Sequence, residues 1–180
     1  MSNAAEAFAL LRSLERGATQ SSLPLPSQEV AAKTWRGLAF NVGAVRLVSA
    51  LGEVLEVIAL PALASIPGAV PWVLGVANLR GRLLPVVDLC GFLDLERTSA
   101  PSEWRVLVVE DGELFCGLLV EQSFGMLQFE VKDYDGGDGE PLGNRLDAWL
   151  RGGFRGGGRH WRVIDLRALV REPSFLEVAA

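Results

Sequence analysis

The chain has 180 residues, 49% hydrophobic and 22% charged, enough for one domain or two small ones around a real core. Its 17 Lys and Arg against 22 Asp and Glu give a net charge of -5, which argues against a phosphate-gripping face for nucleic acid. One histidine, His160, and two cysteines, Cys90 and Cys116, are too few for an ordinary Cys/His zinc site and leave a Ser/His/Asp enzyme a single possible base.

The first twelve residues lack the basic start and unbroken apolar run of a signal peptide, so secretion is not expected. No stretch approaches the roughly 18 uncharged apolar residues of a spanning helix. The most apolar part, residues 57–76, is interrupted by Pro61, Pro67 and Pro71, and no membrane insertion is expected. Cys90 and Cys116, far apart and in apolar surroundings, read as buried reduced thiols, which points to the cytoplasm.

In chain order, Ala7, Leu10, Leu11 and Leu14 have the spacing of an amphipathic helix over residues 4–16, stopped at Gly17. Residues 19–27, with Pro24 and Pro26, read as an extended linker ahead of a body beginning near Lys33. From Trp35 the period becomes two. Leu38, Phe40 and Val42 form one strand, Gly43 a turn, Val45, Leu47 and Ser49 a second strand, and residues 54–58 a third. A Pro-rich crossing over 61–71 leads to two apolar strands, 73–79 and 83–87, joined at Arg80-Gly81-Arg82. Pro85 lacks an amide donor and predicts an edge strand or a bulge. Asp88 is placed to cap a short helix over 89–93.

The second half repeats this order. Residues 106–109, a turn at Gly112, residues 114–120 and residues 124–129 match strand, turn, strand, strand. Gly43 and Gly112 lie 69 positions apart, as do Ile58 and Leu127; Val86-Val87-Asp88-Leu89 recurs 77 positions later as Val163-Ile164-Asp165-Leu166. Two small packed β-barrels are expected. Nine of the 23 residues from 136 to 158 are Gly, and Leu146, Trp149 and Leu150 stand among them at helical spacing, predicting a short helix between two mobile glycine loops.

No catalytic constellation emerges. The acidic stretch Asp133, Asp135, Asp138 and Glu140 lacks the calcium-loop pattern, and the glycine runs lack a phosphate-loop motif. His160 has no evident nucleophile or orienting carboxylate. Asp88 and Asp165 each follow a strand and precede a helical turn, as caps do. Arg80, displayed on a hairpin, is suited to directional contact with a partner, and Glu56 lies in the alternating strand 54–58.

The run GVANLRGRLLPVVDL, residues 75–89, closely resembles the signature hairpin of CheW-type chemotaxis coupling proteins, G-x-x-N-L-R-G-x-[IVL]-[IVL]-P-[IV]-x-D-L. The resemblance extends upstream through residues 53–58, like the family's V-x-E-[IV] strand, and downstream through 106–120 and 163–166, covering about residues 34–172. It implies a mainly β fold of two SH3-like five-stranded barrels with short helices, here following an N-terminal helical extension over 1–33. The barrels would be intertwined, with their junction near 90–104 and a tail over 173–180. It further implies a non-enzymatic adaptor without cofactor or metal. Its partners would be the cytoplasmic tip of a methyl-accepting receptor and the regulatory domain of a CheA-type histidine kinase, in membrane-associated arrays. Receptor contact maps onto Val54, Glu56 and Arg80, and the turn and cap positions onto Gly75, Asn78, Gly81, Asp88 and Asp165. The extension, the glycine-rich segment, Cys90 in place of the family's common Arg, and Val120-Glu121 in place of Val-Asp look more like the PilI-type adaptors of type IV pilus and twitching systems.

Overall fold

The computed structural model describes residues 33–137, 141–156 and 158–177. The expected helix over 4–16 and linker over 19–27 lie outside them, as do Asp138 and Glu140. The chain divides after residue 32 into two units, and the described residues all belong to the second, which begins at Lys33.

The period-two segments become strands β1 (Thr34–Val42), β2 (Val45–Ala50), β3 (Val54–Ala59), β4 (Val73–Leu79) and β5 (Arg82–Asp88), followed by helix α1 (Leu89–Leu93). The second half gives β6 (Arg105–Asp111), β7 (Leu114–Val120), β8 (Gln122–Glu130), the two-residue β9 (Tyr134–Asp135), β10 (Leu150–Gly156) and β11 (Arg159–Ile164), then α2 (Leu166–Val170) and α3 (Pro173–Leu176). They form two sheets, ordered β8-β1-β2-β11-β10-β9 and β3-β6-β7-β5-β4. Each half is thus divided between the sheets, β1 and β2 joining β8–β11 while β6 and β7 join β3–β5, so neither sheet is complete without strands from both.

The repeat read from sequence holds at the level of register. Val86 pairs with Gly117 in the parallel β5–β7 ladder, and Val163 with Val48 in β11–β2. Those partners are separated by the same 77 and 69 positions. Val54 opposite Val109 matches Ser123 opposite Phe40, and the bulges beside them fall at Leu55 and Phe124, again 69 apart. The amide of Asp88 donates to Trp72 O at 2.7 Å, and that of Asp165 to Trp149 O at 2.9 Å.

Three apolar clusters follow from the alternation. Ala77, Leu84, Val86, Val106, Val108 and Leu119 fill the inside of the β3-β6-β7-β5-β4 sheet. Ala39, Val48, Phe129, Phe154 and Trp161 fill the inside of the other. The opposite faces meet in a shared core, where Phe40, Leu47, Leu107 and Leu118 pack with Phe92, Leu146, Trp149 and Phe175 from the short helical segments. Phe92 is edge-on to both Trp72 and Phe175. Phe175, in α3, is buried here although it lies in the segment expected as a tail.

Three expectations require correction. Strand β5 is internal, between β7 and β4, rather than an edge, and the bulge in its ladder falls on β4 at Leu74, two residues before the Val76 that faces Pro85. Pro85 is tolerated there because its β4 partner, Val76, turns its own N–H and C=O outward to Ala64, both at 2.9 Å, and the ladder to β7 begins only at Val86. The second glycine loop is instead strand β10, preceded by a 3-10 turn over Arg145–Trp149. Its glycines serve close approach: a Cβ at Gly152 would lie 2.4 Å from Asp135 O, and one at Gly153 2.6 Å from His160 Nε2. Finally, Asp88 occupies the N-cap position of α1 but makes no capping bond: its Oδ2 meets the Arg97 guanidinium, and its Oδ1 is buried without a hydrogen-bond partner. The Arg97 bond orients the carboxylate away from the helix amides. Asp165 does cap α2, accepting from Ala168 N at 2.8 Å.

Candidate functional site

The signature hairpin closes through two residues with positive φ, Arg80 at 53° and Gly81 at 84°, the conformation of a type I′ turn. Asn78 stabilises it by accepting from Gly81 N at 2.7 Å through its side-chain oxygen. Gly75, at φ 141°, permits a close crossing: a Cβ there would lie 2.4 Å from the Ala64 carbonyl oxygen. The two glycines of this hairpin therefore do different jobs, one admitting a turn and the other the close approach of the Ala64 segment.

Arg80 reaches across the curled sheet to Glu56 on β3, Nη2 to Oε2 at 2.7 Å, although β3 and β4 stand at opposite ends of the strand order. The guanidinium side is 78% exposed and the carboxylate side 22%, so the pair presents an oriented cation to solvent. The next arginine turns elsewhere: Arg82 pairs with Glu110 at 2.8 Å and lies 3.7 Å above the Phe115 ring.

Val54 is half-buried and lines a cavity of about 150 Å³ with Leu38, Ala50, Leu51, Leu55 and Met126. The same cavity touches Glu56, so all three residues mapped from the signature, Val54, Glu56 and Arg80, fall along one groove rim. The groove runs between β3 and β8, which end their respective sheets. Leu55 is 59% exposed and Met126 69%, with Leu51 and Val57 also open to solvent. Sequence reasoning missed Leu51, Leu55, Val57 and Met126. The repeat held a usable signal for some of them, since Phe124 and Met126 lie 69 positions after Leu55 and Val57 and share their outward direction.

A second apolar groove, of about 600 Å³, flanks the hairpin on its β4 side, between Leu63, Ala64 and Ile66 of the Pro-rich crossing and Val76, Asn78 and Leu83. Leu83 is 73% exposed.

Burial pushes the Cys90 thiol up to about 11 and the Cys116 thiol up to about 12, away from the thiolate a nucleophile needs. Among the described residues, no group of three or more His, Cys, Asp or Glu is arranged to hold a metal ion. Also among the described residues, no helix is long and apolar enough to cross a membrane. The buried carboxylate of Glu121 serves architecture: it accepts from Thr98 N, Ser99 N and the Thr98 hydroxyl, pinning the segment between the two halves. Burial raises its pKa, but these donors outweigh that and hold it below the usual carboxylate range, helped by Arg97.

Comparison with known proteins agrees with the fold. Residues 36–174 match the CheW-like domain family. The chain is 38% identical to Protein PilI of Pseudomonas aeruginosa over 179 residues, covering 99% of each. It is 33% identical to Chemotaxis protein CheW of Bacillus subtilis over 109 residues, 61% of this chain and 69% of the relative. The crystal structure of the scaffolding protein TtCheW from Thermoanaerobacter tengcongensis superposes with a TM-score of 0.67 at 19% identity, covering 79% of this chain and 96% of that one, which shows a shared fold. On the domain match and the full-length similarity together, the chain belongs to the CheW-like family.

Proposed function

We propose that this chain couples a methyl-accepting receptor to a CheA-type histidine kinase in a pathway controlling type IV pili, with Val54, Glu56 and Arg80 contacting the receptor tip. CheW-like proteins are non-enzymatic adaptors that join receptors and CheA in chemosensory arrays. The observation that carries the assignment is the open apolar groove between β3 and β8, rimmed by the Glu56–Arg80 pair. An apolar trough with a rigidly held cation at its edge suits an amphipathic helix that brings a carboxylate or a free carbonyl to Arg80. An adaptor must hold two partners at once, and the separate groove beside β4 supports a second docking surface for the kinase's regulatory domain. The full-length similarity to PilI supports the pilus pathway and a cytoplasmic place beneath receptor arrays.

The test is Arg80→Glu. The variant keeps its fold by circular dichroism and loses receptor pull-down; receptor binding at the wild-type level would remove the groove from the assignment. Deleting the gene and scoring surface twitching against swimming separates the pathways, a defect in swimming alone pointing to a flagellar coupler instead.

A further inference from the structure

One wall of the groove beside Val54 is held by no ladder. Strand β2 lies between β1 and β11 and β3 beside β6, so residues 51–53, which join them, cross from one sheet to the other. Locally the turn closes with Glu53 N donating to Ala50 O at 3.3 Å, and Gly52 takes a φ of 89°. Ala50, Leu51 and Gly52 nevertheless line the same cavity as Val54, Leu55 and Met126. A turn with glycine at its tip is soft, and a partner that must order a soft wall binds less tightly for it.

Helix α2 supplies the missing support. Strand β11 runs parallel to β2, with Ile164 against Ser49, and so delivers Asp165 and α2 to the end of β2 where the chain turns. From there two bonds span 113 and 115 positions of sequence: Leu166 N donates to Glu53 Oε2 at 3.2 Å, and Arg167 Nη2 donates to Gly52 O at 3.0 Å. Two consecutive residues of the turn are thus gripped by two consecutive residues of the helix. The helix is itself braced. Leu166, Leu169 and Val170 are buried in the shared core, Asp165 caps it at Ala168 N, and Arg171 just beyond it pairs with Asp111 at the end of β6.

The grip is not a by-product of the repeat. Cys90 stands 77 positions before Arg167, and Gln122 stands 69 after Glu53; the carboxylate beside it, Glu121, holds Thr98 and Ser99 instead. Glu53 also keeps its place at a cost. Burial pushes its pKa up, the Leu166 amide offsets part of that, Asp165 adds to it and Arg167 opposes it. A neutral amide side chain would accept the same bond without that cost. We propose that Glu53 and Arg167 are positioning residues through which α2 fixes the Leu51–Glu53 turn as a preformed groove wall and so sets receptor affinity, a role that rests on the groove being the receptor site. Neither side chain needs to touch the partner. Without the grip the turn samples positions in which the wall is out of place, and the apparent affinity falls with the fraction of molecules in which it is formed.

Glu53→Ala and Arg167→Ala, made singly and together in the full-length protein, are measured against a soluble cytoplasmic fragment of a methyl-accepting receptor, with Arg80→Glu alongside. Each single change is expected to weaken binding about three- to tenfold and the pair tenfold or more, while each single variant melts within about 4 °C of the wild type. Glu53→Gln, which keeps an acceptor oxygen, is expected to bind within about twofold of the wild type. In the free protein, hydrogen exchange at the amides of residues 51–53 and 166 quickens in the Ala variants while β1 and β6 keep their protection. Wild-type binding by the double variant, where Arg80→Glu loses it, would overturn the positioning role and leave the receptor site standing. Weakened binding in a single variant whose melting temperature falls by about 10 °C or more would return that residue to the fold and overturn the role as well. Wild-type binding by Arg80→Glu would remove the receptor site itself, a failure told apart from the first by the quickened exchange, which needs no partner.

Discussion

Replacing Arg80 by glycine separates what the signature arginine does for the fold from what it does for a partner. The substitution removes the ion pair to Glu56, whose guanidinium side is 78% exposed; a pair so open to solvent is worth about 0–1 kcal/mol. It also frees a left-handed backbone position, φ 53°, where an L side chain costs about 1–2 kcal/mol. Glycine gives back about 0.4–1 kcal/mol of that through the greater freedom of the unfolded chain. The terms nearly cancel, and the melting temperature is expected to move by no more than about 4 °C in either direction. Receptor affinity behaves differently. Loss of a directional cation at the rim of an apolar groove is expected to weaken binding at least tenfold, in the range of about 2 kcal/mol for a central interface residue. Thermal unfolding followed by circular dichroism and co-sedimentation with a soluble receptor fragment measure the two quantities on one sample. A melting temperature lowered by about 10 °C or more would show the pair to be a structural clamp, refuting the reasoning from exposure; unweakened receptor binding would refute the placement of the site.

Two glycines of the same hairpin should respond unequally. Gly75→Ala drives a methyl group to 2.4 Å from Ala64 O and is expected to cost more than about 2 kcal/mol by urea unfolding, whereas Gly81→Ala, with open space around it, pays only for its positive φ, about 1 kcal/mol. Glu121 has a folded pKa below its unfolded value, so its stabilisation is fully present above the unfolded pKa of about 4.3 and disappears as pH falls through the folded value. Glu121→Gln should accordingly flatten the acid limb of the stability profile, and an acid limb as steep as the wild type's would contradict the assignment of Thr98 and Ser99 as its donors. Cys90 and Cys116, held up at about 11 and about 12, should remain unreactive toward a thiol reagent at neutral pH in the native protein and both react once it is unfolded.

Strand identity, the order of elements and the internal repeat were legible in the sequence because each rests on local physics. Side-chain alternation with a period of two marks half-buried strands, glycine marks turns, and a motif as long as GVANLRGRLLPVVDL is specific by its length. Even the offsets of 69 and 77 survive as ladder registers, since a one-residue slip would turn each apolar set to the wrong face. Tertiary structure decided what depends on residues far apart in the chain. It placed β3 and β8 at the ends of different sheets, and thereby opened the groove between them. It brought Arg80 to Glu56 and diverted Asp88 from its helix to Arg97. It made strand β10 out of glycines read as a loop, because their value lies in the backbone and imidazole they let approach, and composition carries no record of a neighbour. Alternation tells a side chain which face it takes; only the closed sheets determine what it meets there.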